Sequence, residues 1–275
     1  MLKDNSIFSI MDFQDTEKML FNTRRRQGHE LLTADDVDFE MQYHHSKNKL
    51  QLNWLSQDGL ERFVEKYGST YKVLWLYSCN YIEDFSPLAD LENIEAIRID
   101  DTRKATQFWD FSNNKSLKVL SVHGSKKLVE NPMLLRTSKT LEDVRFWNCG
   151  IDVKYTLDSL SCFENMKTLK RIDLNFIKLK NHNFSVLDTL TSLEEFNFDA
   201  GMLTTEEIAW ICANYPHISG DCLRPYTENE ICCMNDVRIC GYRKPGLDLP
   251  EDKKRLDKYV NEFNLLVEKF KNEKV

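Results

Sequence analysis

The side chains best suited to chemistry in this sequence gather near one end. Cys212, Cys222, Cys232, Cys233 and Cys240 follow one another closely, with His217 among them. Thiolate and imidazole are the usual ligands of structural zinc, but such sites carry short C-x-x-C pairs. This segment has none, so packed or exposed thiols are the better reading. The other signatures of catalysis are missing too. There is no phosphate loop, no G-x-G-x-x-G, no G-x-S-x-G nucleophile elbow and no H-E-x-x-H. The sequence therefore predicts no catalytic residue, no cofactor and no metal.

Composition narrows the remaining classes. The chain has 275 residues, 41% of them hydrophobic and 29% charged, with a net charge of -7. This is the balance of a soluble folded protein. A mild acidic excess argues against a general nucleic-acid binder and suits a basic protein partner. Arg24-Arg25-Arg26 ends a candidate helix from Asp15 and reads as an exposed charged helix end rather than a nucleic-acid site. No apolar run reads as a signal peptide or a membrane helix, so a cytoplasmic location is expected. In that setting the sequons at Asn114 and Asn183 carry no weight, and the eight cysteines are expected to be free thiols.

What must position any functional surface is a repeat. The segment LENIEAIRIDDT, Leu91 to Thr102, recurs as SLKVLSVHGS, TLEDVRFWNC, TLKRIDLNF and SLEEFNFDAG. KNKLQLNW and YKVLWLYSC match upstream, and YPHISGDCL matches loosely downstream. The first apolar residue of each unit is Leu50, Leu74, Ile97, Leu120, Val144, Ile172, Phe196 and Ile218, giving steps of 24, 23, 23, 24, 28, 24 and 22. In an apolar-x-apolar strand both apolar side chains point to one side, and a single strand cannot bury them. Stacked units can, by forming a parallel sheet over a continuous core.

Between the strands the chain must return over the other side. Ser86-Pro87 reads as a helix start with Ser at the N-cap and Pro at N1. Thr204 and Glu207 form a candidate capping box before IAWICANY. Leu60, Phe63, Val64 and Tyr67 make a helical stripe, and DVKYTLDSLSCFENM in the long step offers room for a longer outer helix. Three residues beyond the second strand apolar stand Cys79, Thr102, Ser125 and Cys149, small side chains suited to bonding backbone groups at the bend.

The period and pattern are those of leucine-rich repeats, which run about 20–29 residues. The stretch IEDFSPLADLENIEAIRID, Ile82 to Asp100, resembles the bacterial internalin-type or SDS22-like unit, and the resemblance covers about residues 48–223. It implies an α/β solenoid with a parallel sheet on the concave face, helices or turns on the convex face, and a partner bound on the concave side. Internalins are secreted, and their receptor role does not carry over to a chain that reads as cytoplasmic. Some bacterial relatives of this fold are ubiquitin ligases with a C-x-D cysteine. No cysteine here has Asp two residues later.

The sequence divides as an N-terminal cap over 1–47, about eight irregular repeats over 48–223, and a C-terminal cap over 224–275. Alternating Phe39, Met41 and Tyr43 predict a strand in the first cap, and Val237 and Ile239 a last strand before the break at Lys244-Pro245-Gly246. From Pro250 to Lys271 an amphipathic helix presents Leu256, Tyr259, Val260, Phe263, Leu266, Val267 and Phe270 on one face, to cap the solenoid or to pair with a partner.

Strand residues flanking the inner apolar pair face the concave side. There the sequence places Trp75, Tyr77 and Trp147, with Arg98 and Arg145 between them, where polar residues are the usual occupants. Trp, Tyr and Arg dominate binding hot spots. With Asp100, His123, Asp173, Asn175 and Asp199 they form the candidate partner-binding set. Acids gather in the later strands, so the face is graded from aromatic to acidic and suits a protein with an apolar patch beside a basic one. The function expected is a non-catalytic protein-binding module, in its sharpest form an immunity or antitoxin-like protein. A scaffold that tunes a partner enzyme is the alternative, and a metal or enzymatic role for the cysteine-rich segment a weaker one. No nucleic acid and no membrane are expected as partners.

Overall fold

A computed structural model describes residues 31–43, 48–148, 155–228 and 235–273. Seven parallel strands form one sheet in sequential order: β1 (Lys49–Asn53), β2 (Val73–Tyr77), β3 (Ala96–Asp100), β4 (Val119–His123), β5 (Asp143–Trp147), β7 (Arg171–Asn175) and β9 (Glu195–Phe198). Every inner apolar pair meets the next in register, as in Leu50–Leu74–Ile97–Leu120–Val144–Ile172–Phe196. These side chains are fully buried. The eighth unit joins only through a single bridge from Glu195 to Ser219. The molecule is a leucine-rich-repeat solenoid.

The first four strands each end in a sharp bend. Trp54, Ser78, Asp101 and Gly124 take positive φ of 53 to 65° immediately after their strands. Their N–H groups donate to the carbonyls of Tyr77, Asp100, His123 and Trp147 on the following strands, at 2.9 to 3.2 Å. At Gly124 a Cβ would stand 2.1 Å from the Asp101 carboxylate, so a larger residue there would have to displace that side chain as well as hold a left-handed backbone. One residue further on, Cys79 and Ser125 do what their type suggests. The Cys79 thiol lies 3.6 Å from the carbonyls of Leu52 and Tyr77, and the Ser125 hydroxyl bonds the carbonyl of His123 and the N–H of Thr102. The Thr102 hydroxyl itself has no partner among the described residues. Cys149 lies outside the described residues.

Three local expectations are corrected. Phe39, Met41 and Tyr43 lie in or beside helix α1 (Ala34–Met41), not a strand. Thr33 and Asp36 form a capping box, and Phe39 meets Tyr43 at i, i+4 with ring centroids 5.3 Å apart. Ser86 is the first residue of a 3-10 turn, Ser86–Asp90, not its cap. Asp84 takes the capping role, accepting from the Ser86 N–H and hydroxyl at 2.8 and 2.6 Å. The long step holds no long helix among its described residues. It forms β6 (Tyr155–Leu157), paired in parallel with β8 (Ile177–Leu179), and a 3-10 turn, Leu160–Phe163. With 23 or 24 residues per repeat, most returns have room only for such short turns, and 3-10 geometry closes them with fewer residues than an α-helix needs.

Real helices appear at the ends. Helix α2 (Gln57–Lys66) buries Leu60, Phe63 and Val64, with Ser56 capping it and Tyr67 half-buried beyond its end. Helix α1 packs on α2, and Lys66 and Tyr67 both hold Asp38 at 2.8 Å, keeping its carboxyl below the ordinary range. Helix α4 (Thr205–Asn214) starts at the Thr204/Glu207 capping box. A short helix, α3 (Lys126–Glu130), interrupts the middle returns. At the far end β10 (Tyr226–Glu228), β11 (Val237–Ile239) and β12 (Gly246–Leu247) make an antiparallel sheet. Helix α5 (Lys253–Asn272) lies against α4, with Phe263 in the main core and Leu256 in a smaller cluster with Val237, Ile239 and Leu247.

The return segments are tied to one another by Asn114, which is 1% exposed. Its carboxamide oxygen accepts from the Trp109 indole at 2.7 Å, and its nitrogen donates to the carbonyls of Leu88 at 2.8 Å and Leu91 at 3.1 Å in the preceding repeat. The indole donor fixes the orientation of the amide. Asn114→Ala strands one buried donor and two buried carbonyls, and we expect a loss of about 3 kcal/mol in urea unfolding. A loss below about 1 kcal/mol would show that the inter-repeat tie is dispensable.

Candidate functional site

On the concave side the register sets out three rows of side chains, each crossing the sheet at the strand spacing of about 4.8 Å. The outermost row begins Lys49–Val73–Ala96–Val119 and continues Asp143–Arg171–Glu195. The middle row is Gln51–Trp75–Arg98–Ser121–Arg145–Asp173–Asn197. The third is Asn53–Tyr77–Asp100–His123–Trp147–Asn175. The candidate set read from the sequence falls on the second and third rows, with Asp199 just past β9.

The aromatic half is organised around Asp100, which is 2% exposed. The Arg98 Nε donates to both carboxylate oxygens at 2.9 and 3.0 Å, and the Trp75 indole N–H donates at 2.9 Å. The guanidinium of Arg98 lies 4.6 Å from the Trp75 ring centre, and Tyr77 meets the same ring edge-on at 5.8 Å. Val73, Ala96 and Val119 pack beneath Trp75. Burial raises the Asp100 carboxyl above its ordinary value, against the opposing pull of Arg98 and His123. Asp100 is thus a hidden anchor. Tyr77 is exposed, and Trp75 and His123 are partly so.

The second half is a charge ladder. Asp143 accepts from Arg145 at 3.0 and 2.6 Å and from Arg171 at 3.2 Å, and Arg171 reaches Glu195 at 2.7 Å. Arg145 and Asp143 are buried, so most of this pairing lies below the surface of the face. Asn175 donates to Asp173, and Asn197 to Glu195 at 2.5 Å. Asp199 accepts the Phe176 N–H at 2.7 Å, the bond a strand carbonyl supplies elsewhere. The acids expected to make a bare acidic half are therefore largely engaged with arginines and amides of the same face. Asp143, Arg171 and Glu195 are the residues missing from the candidate set. Their outward slots were visible, but their mutual pairing depends on register.

The cysteine-rich end is not part of this face. Cys212, Cys222 and Cys240 are free thiols in or beside the core, Cys222 and Cys240 within hydrogen-bonding reach of each other. Cys232 and Cys233 lie outside the described residues. Among the described residues no three His, Cys, Asp or Glu side chains are placed to share a metal ion, and no helix is long and apolar enough to cross a membrane.

Among solved structures, the chain is similar to an internalin from Listeria monocytogenes, with 17% sequence identity and a TM-score of 0.44, over 63% of this chain and 46% of that one. The chain thus spans less than half of that protein's length. No protein-family model and no curated protein matches the sequence.

Asp173 is the one concave carboxyl pushed up to about 7, from an ordinary value of 3.8. Burial is the main cause, and Asp143 and Glu195 add to it against the pull of Arg145 and the Trp147 indole. A raised folded-state value favours the protonated form, so its stabilising share is complete below about pH 4 and is lost as pH rises through about 7. Asp173→Asn should leave stability unchanged near about pH 4 and raise it by about 1 kcal/mol near about pH 8, after discount for partial exposure. Parallel stability–pH curves for the two proteins would refute this.

Proposed function

We propose that this chain is a non-catalytic protein-binding module that grips a partner protein on its concave sheet. The observation that carries the reading is the row in which exposed or half-exposed Tyr77, His123 and Trp147 stand on β2, β4 and β5, on either side of the buried Asp100 and beside Trp75 and Arg98. Large aromatics held by a rigid sheet lose little side-chain freedom on binding, which makes them efficient anchors. The Trp75 and Arg98 side chains are already oriented by Asp100, so a partner meets a preformed surface.

The immunity or antitoxin-like form of this reading has a basic toxin as the partner. The net charge of -7 supports it. The pairing of Asp143 with two arginines limits the share of that charge available on the face itself. In this reading the aromatics supply affinity, and the ladder from β5 onward supplies selection between partners.

Affinity capture from the native cell, followed by titration with the purified partner, tests the proposal. Tyr77→Ala and Trp147→Ala should each weaken binding about tenfold or more, with circular dichroism unchanged. Lys180→Ala, off the sheet face, should leave it unaltered. Full-strength binding by a folded Tyr77→Ala/Trp147→Ala double variant would rule out the concave face as the grip.

A further inference from the structure

The outer side of the solenoid carries a second kind of surface, away from the sheet. Between the 3-10 turn Ser185–Thr189 and helix α4 lies a groove of about 540 Å³. Three aromatic rings line it. Trp210 stands 6.2 Å from Phe184 and 5.8 Å from Tyr215, the latter nearly edge-on at 68°. Phe184 and Tyr215 are buried, whereas Trp210 is only half covered. Two carboxylates, Asp188 and Glu207, share the lining, and no lysine or arginine does.

We propose that this groove binds an alkylammonium group. The face of an indole attracts a cation through its quadrupole, and nearby carboxylates add a direct charge attraction. A neutral apolar ligand would gain the ring contacts but would desolvate the acids without compensation, and an anion would be repelled. Both acids are positioned by other bonds. Asp188 accepts the Tyr215 hydroxyl at 2.9 Å, and Glu207 is set by the capping box and by His182 at 2.6 Å. The adjoining groove of about 680 Å³ has the opposite character, since Lys178 and Lys180 line it. The cation preference therefore does not extend to that adjoining groove. The site shares no residue with the concave face, so either proposal can fail without the other.

Choline and its neutral isostere 3,3-dimethyl-1-butanol separate charge from shape. Titration of the full chain, followed through the tryptophan indole N–H resonances, should show choline binding about tenfold tighter than the alcohol. Trp210→Leu should abolish that preference. Asp188→Asn, which keeps an acceptor for Tyr215, should reduce choline affinity severalfold at an unchanged melting temperature. A peptide carrying a single trimethyllysine distinguishes the sources of the ammonium. Tighter binding than choline indicates a protein side chain, and weaker binding a free small molecule. Equal affinity for choline and the alcohol, or no response to either by a folded protein, would overturn the proposal.

Discussion

The bend that ends most strands governs the solenoid. After the inner apolar pair of β1 to β4 and β7 the backbone turns into the left-handed region, and on β1 to β4 the N–H of that bend residue donates to the carbonyl of the following strand. This contact locks the register, because a parallel strand that slipped by one residue would turn its buried row outward. Register in turn aligns Leu50 through Phe196 into one core row and the outward residues into three concave rows. The exception is informative. Strand β9 stops at Phe198, and the Phe176 N–H finds the Asp199 carboxylate instead of a strand carbonyl. A side chain thus completes the ladder where the sheet begins to end, and the lone bridge from Glu195 to Ser219 follows.

The same constraint decides what was legible in the sequence. The apolar-x-apolar pairs recur at near-constant spacing, so the strands, their order and the outward slots can be read directly. The caps at Thr204 and Glu207 and the bend roles of Cys79 and Ser125 are local, and they too are visible. The return segments are not. Ser86-Pro87 has the residue types of a helix start, but the chain must reach Leu91 and the next strand within a few residues, so a 3-10 turn forms. Phe39, Met41 and Tyr43 alternate like a strand yet fit a helix as well, since Phe39 and Tyr43 are also one turn apart. Short segments leave that ambiguity to tertiary packing.

Pairing among outward residues is the other part hidden from a linear reading. Asp143 and Arg171 are 28 positions apart in sequence and adjacent only through register. Read one strand at a time, the later acids look like a bare negative field. In the folded sheet Arg145 and Arg171 meet them, and Asp173 is held where burial favours its neutral form. The aromatics of the outer groove were hidden for a related reason: Phe184, Trp210 and Tyr215 sit in return segments, where an aromatic is most often core.

This pairing changes how a partner can be recognised. A charge already bonded to its neighbour gains little from a new ion pair, because the new bond must replace an old one and both charges lose water. Where the replacement fits poorly, the buried Asp143 or Arg145 is left uncompensated, at a cost far larger than the gain from a good fit. On the proposed binding mode, the ladder from β5 onward would therefore be better at refusing wrong partners than at holding the right one. Tyr77 and Trp147 face no such exchange, since their gain comes from burying ring surface. On the proposed binding mode, affinity and selectivity would fall on different rows of one rigid sheet, Tyr77 and Trp147 on the third row and the paired charges on the first two, and the spacing that the repeat imposes would keep them at a fixed distance from each other.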